Sequence, residues 1–152
     1  MIPSPKVATY DLQPQMSAIE LTQAVISALQ TKQNDFICLN FANADMVGHT
    51  GVWSAIVSAV ETVDKCVEKV VSTALENNYT IFLTADHGNA DFALNLNGTP
   101  NTAHTTNPVP LFIISNYFAG QMNPGKLGDI APTILSMMQL PIPPEMTGTI
   151  LI

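Results

Sequence analysis

The stretch from Val52 to about Asn78 constrains the fold most. Trp53, Ile56, Val57, Val60, Val63, Val67, Val70, Val71 and Ala74 recur there at three- and four-residue steps, the period of a helix with one apolar face. A helix of that length must bury its stripe against another layer. Short apolar runs stand on either side of it. Phe36-Ile37-Cys38-Leu39 precedes it, and Tyr79 to Thr84 and Val109 to Ile114 follow. Each is bounded by polar residues and reads as a strand buried on both faces. Ser17 with Glu20 three residues on is a capping-box pattern. It opens a second helix from Ala18 to about Lys32, with Ile19, Leu21, Val25, Ile26 and Leu29 on the apolar face. A last helix is expected from about Ile130 to Gln139, capped by Asp129 with Pro132 in its first turn. Pro141, Pro143 and Pro144 stop it. The opening from Pro3 to Pro14 reads as extended. Phe92 to Leu96 alternates ahead of Asn97-Gly98, which predicts a small hairpin. Strand and helix alternate without repeats or linkers, so the expected fold is a single α/β unit. Its sheet should be mostly parallel, with helices on both faces.

Charge narrows the function classes. The 152 residues carry twelve acidic side chains against five lysines (Lys6, Lys32, Lys65, Lys69, Lys126) and no arginine, for a net charge of −7. A nucleic-acid or anionic-membrane surface needs a basic stripe, so neither partner is expected. With 47% hydrophobic and 11% charged residues, disorder is not expected either. No apolar run approaches the roughly 18 residues of a membrane span and no basic-then-apolar leader opens the chain. A cytoplasmic location is expected. Cys38 and Cys66 lie in apolar segments and read as small buried hydrophobes. Arginine is the usual bidentate partner of phosphate. A chain without it that handles phosphate must use metal ions, backbone amides or another stretch of polypeptide.

All three histidines fall in polar loops beside expected strands, the first two of them glycine-bearing. The first loop reads Asn43-Ala44-Asp45-Met46-Val47-Gly48-His49-Thr50-Gly51. The second reads Thr84-Ala85-Asp86-His87-Gly88-Asn89-Ala90-Asp91, and the third Thr102-Ala103-His104-Thr105-Thr106-Asn107-Pro108. A single loop histidine is ordinarily a solvated side chain. Three at strand ends, two with a nearby Asp, point instead to metal ligation, because neutral imidazole with carboxylate suits Mn, Zn or Fe. Ligands bind beyond the carboxyl ends of strands in such sheets. The ligand candidates are Asp45, His49, Asp86, His87 and His104. Asp91 could also ligate, but is read first as a tie within its loop. Gly48, Gly51 and Gly88 read as backbone positions. Five ligands exceed one open site and fall short of two complete ones. That count implies two metals with part of the shell supplied from elsewhere.

These segments resemble the metal-binding segments of cofactor-independent phosphoglycerate mutase, in the alkaline phosphatase superfamily. The likeness runs through Ser4 to Pro14, Asn43 to Gly51, Thr84 to Asp91, Thr102 to Pro110, Leu127 to Thr133 and Glu145 to Gly148. Asp86-His87-Gly88 alone marks only the superfamily, whereas the ordered set is particular to the mutase. The resemblance implies an alkaline-phosphatase-like fold in which Asp45, His49 and His104 hold one ion and Asp86 and His87 are half of a second site. The ions would be divalent, manganese first, with zinc, magnesium or cobalt tolerated, and no organic cofactor. It also implies interconversion of 3-phosphoglycerate and 2-phosphoglycerate through a phosphoserine. The serine, the phosphate-holding arginines, the catalytic lysine and the remaining aspartate would then lie upstream of this region. Residues 1–152 would be the carboxyl-terminal portion of the phosphatase-like domain, without its amino-terminal part or the inserted second domain, of a monomeric full-length protein. Lys6 matches a family lysine near the site but reads equally as surface, and Cys38 and Cys66 match no catalytic element. Other readings are a related superfamily enzyme (a phosphopentomutase or metallo-phosphohydrolase) and a metal-binding fragment without catalysis.

Overall fold

The computed structural model describes residues 2–152. They form two compact units, one running up to Asn116 and the other Tyr117–Ile152.

In the first unit, helix α1 spans Ala18–Thr31, α2 Asn43–Gly48 and α3 Trp53–Glu76. Both long helices lie where the periodicity puts them. The capping box does not form, because the Ser17 hydroxyl donates instead to the Pro3 carbonyl at 2.7 Å. That bond ties down the largely irregular opening segment, which turns once as a 3-10 helix at Tyr10–Leu12. α1 and α2 both pack on α3. The core cluster joins Val47 of α2 and Ala55, Ile56 and Ala59 of α3 with Met16, just before α1, and Ala93. Val47 and Ile56 are 0% and 3% exposed, each burial worth about 1.5–3 kcal/mol.

The apolar face of α3 needs correcting. Ala55, Ile56, Ala59, Cys66 and Ala74 are the buried positions. Trp53, Val57 and Val60 are exposed, and Val63, Val67, Val70 and Val71 are half-buried. Small side chains let α3 approach its neighbours closely, and hydrophobicity alone had favoured the larger residues beside them. Cys66 is buried as expected, but Cys38 is exposed.

The sheet orientation is a second correction. Strands β1 (Ile81–Thr84) and β2 (Leu111–Ile114) pair antiparallel, with Ile81 opposite Ile114 and Thr84 opposite Leu111. Parallel pairing requires a crossover, usually a helix. The chain between β1 and β2 holds only a 3-10 turn at Ala90–Phe92 and a tight turn at Asn95–Thr99. The expected hairpin shrinks to one bridge between Leu94 and Pro100, with Gly98 at φ +78°. Phe36–Leu39 pairs with no strand among the described residues, and Phe36 is exposed. α1 and α2 thus pack on α3, and β1 and β2 form a two-stranded antiparallel ribbon, an α/β arrangement in which the expected parallel pairing is absent among the described residues.

In the second unit, a 3-10 turn at Leu127–Asp129 leads into α4, Ile130–Met137. Asp129 precedes α4 as expected, but its side chain serves other partners. It accepts the Lys126 and Thr149 backbone N–H groups, both at 2.8 Å. These bonds hold its carboxyl below the usual carboxylate range. The Thr133 hydroxyl, fully buried, donates to the Asp129 carbonyl and accepts the Leu151 N–H.

Candidate metal centre

The Asn43–Gly51 segment, expected as a loop, begins as helix α2. A helix places positions four apart on one face, so Asp45 and His49 project together while Val47 anchors the opposite side in the core. The His104 loop reaches the same place through a bridge between Gly88 and Thr105, whose N–H donates to the Gly88 carbonyl at 2.7 Å. Gly88 is required by this approach. A Cβ there would stand 2.7 Å from Asp91 Oδ1 and overlap the Thr105 hydroxyl. Asp91 takes the tying role. It accepts from Asn107 at 2.6 Å and from the Thr105 hydroxyl at 3.2 Å. Asn107, then Thr105, holds its carboxyl below the usual range.

Three donor atoms converge. Asp45 Oδ1 lies 3.2 Å from His49 Nε2 and 3.0 Å from His104 Nε2, and the two imidazole nitrogens are 3.1 Å apart. Ligands of a tetrahedral ion at bonds of about 2.0–2.1 Å stand roughly 3.3–3.4 Å from one another. This triangle has nearly the dimensions of one face of such a shell, slightly contracted. His49 Nδ1 is 2.7 Å from the Thr102 carbonyl. A carbonyl only accepts, so Nδ1 carries the proton and a neutral His49 presents a bare lone pair at Nε2. A carboxylate oxygen and an imidazole lone pair at 3.2 Å repel unless a proton or a cation lies between them.

His87 stacks on His104, with ring centroids 3.8 Å apart and planes tilted 22°. Its Nε2 is 3.6 Å from Asp86 Oδ2, and the Asp86 side chain is 84% exposed. Asp45, His87 and His104 also form a looser group with donor atoms within 4.8 Å. Asp45 and His104 belong to both groups. The closer contacts and the fixed tautomer favour His49 as their partner, leaving Asp86 and His87 as an adjoining, incomplete pair. Asp45, His49, His87 and His104 thus lie side by side, whereas Asp86 adjoins only His87 and its side chain is largely exposed.

The sequence reading missed Asn89. It is 5% exposed, and its Nδ2 donates to Asp45 Oδ1 at 2.7 Å. No sequence signal separates Asn89 from the chain's other loop asparagines. The Thr102 carbonyl was equally invisible, since any residue supplies one.

A family model described as the metalloenzyme superfamily matches residues 1–142. This chain belongs to that superfamily. A metalloenzyme's use of divalent metal agrees with the Asp-His cluster. The superfamily chain is 58% identical over 144 residues to a 2,3-bisphosphoglycerate-independent phosphoglycerate mutase of Flavobacterium psychrophilum, covering 95% of this chain and 28% of the relative. It is 54% identical to the enzyme of that name from Clostridium botulinum, covering 100% of this chain and 30% of the relative. A crystal structure of Leishmania mexicana phosphoglycerate mutase at low cobalt concentration aligns with 99% of the chain and 31% of its own length, at a TM-score of 0.87 and 28% identity. The fold is thus that of the phosphoglycerate mutases. The chain spans less than a third of the length of these relatives.

Proposed function

We propose that this chain supplies the metal-holding side chains of a phosphoglycerate mutase that interconverts 3-phosphoglycerate and 2-phosphoglycerate. The observation that carries the proposal is the triangle of Asp45 Oδ1, His49 Nε2 and His104 Nε2 at 3.0–3.2 Å, together with the relatives' shared name. Asp45, His49 and His104 hold one divalent ion, and Asp86 and His87 contribute half the ligands of a second. The mixed carboxylate and imidazole set suits manganese, and zinc or cobalt also fit. When bound, such ions lower the pKa of a coordinated hydroxyl and neutralise charge on a phosphoryl group. In this chain Thr102 keeps His49 in the ligating tautomer, and the Gly88–Thr105 bridge keeps His104 beside His87.

The serine that takes the phosphoryl group, the arginines that grip phosphate and the second site's remaining ligand belong to other parts of the whole protein. The lack of any arginine among these 152 residues supports that division. On the same reading the chain is the carboxyl-terminal portion of the metal-binding domain of a monomeric cytoplasmic enzyme. Phosphoryl transfer depends on positioning and charge stabilisation. The chain alone, with added manganese, is therefore expected to turn over no 3-phosphoglycerate, while the whole protein does so until a chelator is added. Turnover by the chain above a His49→Ala control would overturn the division of parts. A whole protein indifferent to chelator would overturn the metal reading.

A further inference from the structure

We propose that Asn89 is a positioning residue for Asp45, one that sets which carboxylate oxygen faces His49 and His104 and holds the two ligand loops at a fixed spacing. The proposal rests on the metal reading above. Asp45 Oδ1 is the atom that faces both imidazoles, and the Asn89 amide donates to that same atom at 2.7 Å. The amide's orientation follows from chemistry, because turning it over would set its oxygen against a carboxylate oxygen. Asn89 also lies two residues after His87, so one side chain spans from the second ligand pair to the first.

Two features separate this role from ordinary packing. The Asn89 Oδ1 is buried with no hydrogen-bond partner, so the amide is held by its donor end alone. An apolar side chain of similar size would fill the space without leaving that oxygen unsatisfied. The space itself depends on Gly48, where a Cβ would stand 2.9 Å from Asn89 Cγ and overlap its oxygen. Gly48 follows Asp45 by three residues on α2, so the ligand and the clearance for its partner come from one helix.

The test is a cobalt(II) titration of the chain, followed by visible absorption. It compares wild type with Asn89→Leu and Asn89→Ser, each also made in an Asp45→Ala background, and records each metal-free thermal midpoint. Removing a partner of a metal ligand typically costs about 10- to 100-fold in affinity. That loss is expected for both single variants, together with a changed cobalt spectrum and a metal-free midpoint near that of wild type. In the Asp45→Ala background the Asn89 changes should have no further effect, because the ligand they act through is gone. Affinity within threefold of wild type, an equal loss in the Asp45→Ala background, or failure of both Asn89 variants to fold without metal would each overturn the proposal. A wild-type chain that binds no cobalt would overturn the metal reading itself, and this proposal with it.

Discussion

Residues 36–41 and helix α2 adjoin in sequence and differ in what they need from the rest of the molecule. α2 and the residues flanking it bond to one another along the backbone (Met46 N–H to Ala42, His49 N–H to Asp45, Thr50 N–H to Val47), and α2 buries Val47 completely and presents Asp45 and His49 on one face. The segment before it is more hydrophobic, yet Phe36 remains 57% exposed and Cys38 is exposed. A helix satisfies its N–H and C=O groups locally, whereas a strand satisfies them only against a neighbour. Residues 36–41 pair with no strand among the described residues. An open apolar edge of this kind can pair with another strand. Asp45 and His49 come from this locally bonded region, and His104 reaches them on a separate loop through the Gly88–Thr105 bridge.

The largest expected effect lies under the site. Ala59 is fully buried between α3 and its neighbours, so Ala59→Asp places an unpaired charge in the core that carries α2. We expect a loss above about 4 kcal/mol, read as absence of a cooperative thermal transition. Next comes the cluster itself. If His104 and His49 ligate as proposed, His104→Ala and His49→Ala should each weaken manganese binding by at least about 100-fold, beyond the usual range for a ligand's partner. Metal-free thermal unfolding should barely change, since both side chains are about half exposed. Equal losses of stability and affinity would mean that the histidines are structural.

An acid titration separates the two units. The folded-state pKa of Asp129 is lowered by the Lys126 and Thr149 N–H groups. Its contribution is therefore complete above the unfolded value of about 3.9 and is lost as pH falls through the lower folded value. Asp129→Asn should lower the stability of the Tyr117–Ile152 unit at neutral pH and remove that part of its acid dependence, leaving metal affinity unchanged. Chemical denaturation at several pH values checks this. The smallest effects belong to the exposed apolar positions. Val60→Asp and Phe36→Ser should each stay within about 0.5 kcal/mol of wild type. A large loss at Val60 would restore the α3 face read from sequence, and one at Phe36 would show that 36–41 is packed after all.

The same contrast accounts for what sequence could show. α1 and α3 were legible because helical periodicity needs no partner. α2 was not, since Asn43-Ala44-Asp45-Met46-Val47-Gly48 is short, polar and glycine-ended. β1 and β2 were located, but not their direction, which depends on the connection between them rather than on Ile81–Thr84 or Leu111–Ile114 themselves. The five ligand candidates stood out by residue type and loop position. Their grouping around Asp45 came only from the family resemblance, because it depends on the Gly88–Thr105 bridge and on Asn89, whose side chain resembles any other polar loop residue until its partner is seen.

The most direct test of the account is a crystal structure of the chain soaked in manganese, with the ion located by anomalous scattering at the manganese edge. One peak is expected at about 2.0–2.2 Å from Asp45 Oδ1, His49 Nε2 and His104 Nε2 together, with Thr102 still accepting from His49 Nδ1. A peak held by Asp45, His87 and His104 with His49 left out, or no peak near Asp45 at all, would contradict it.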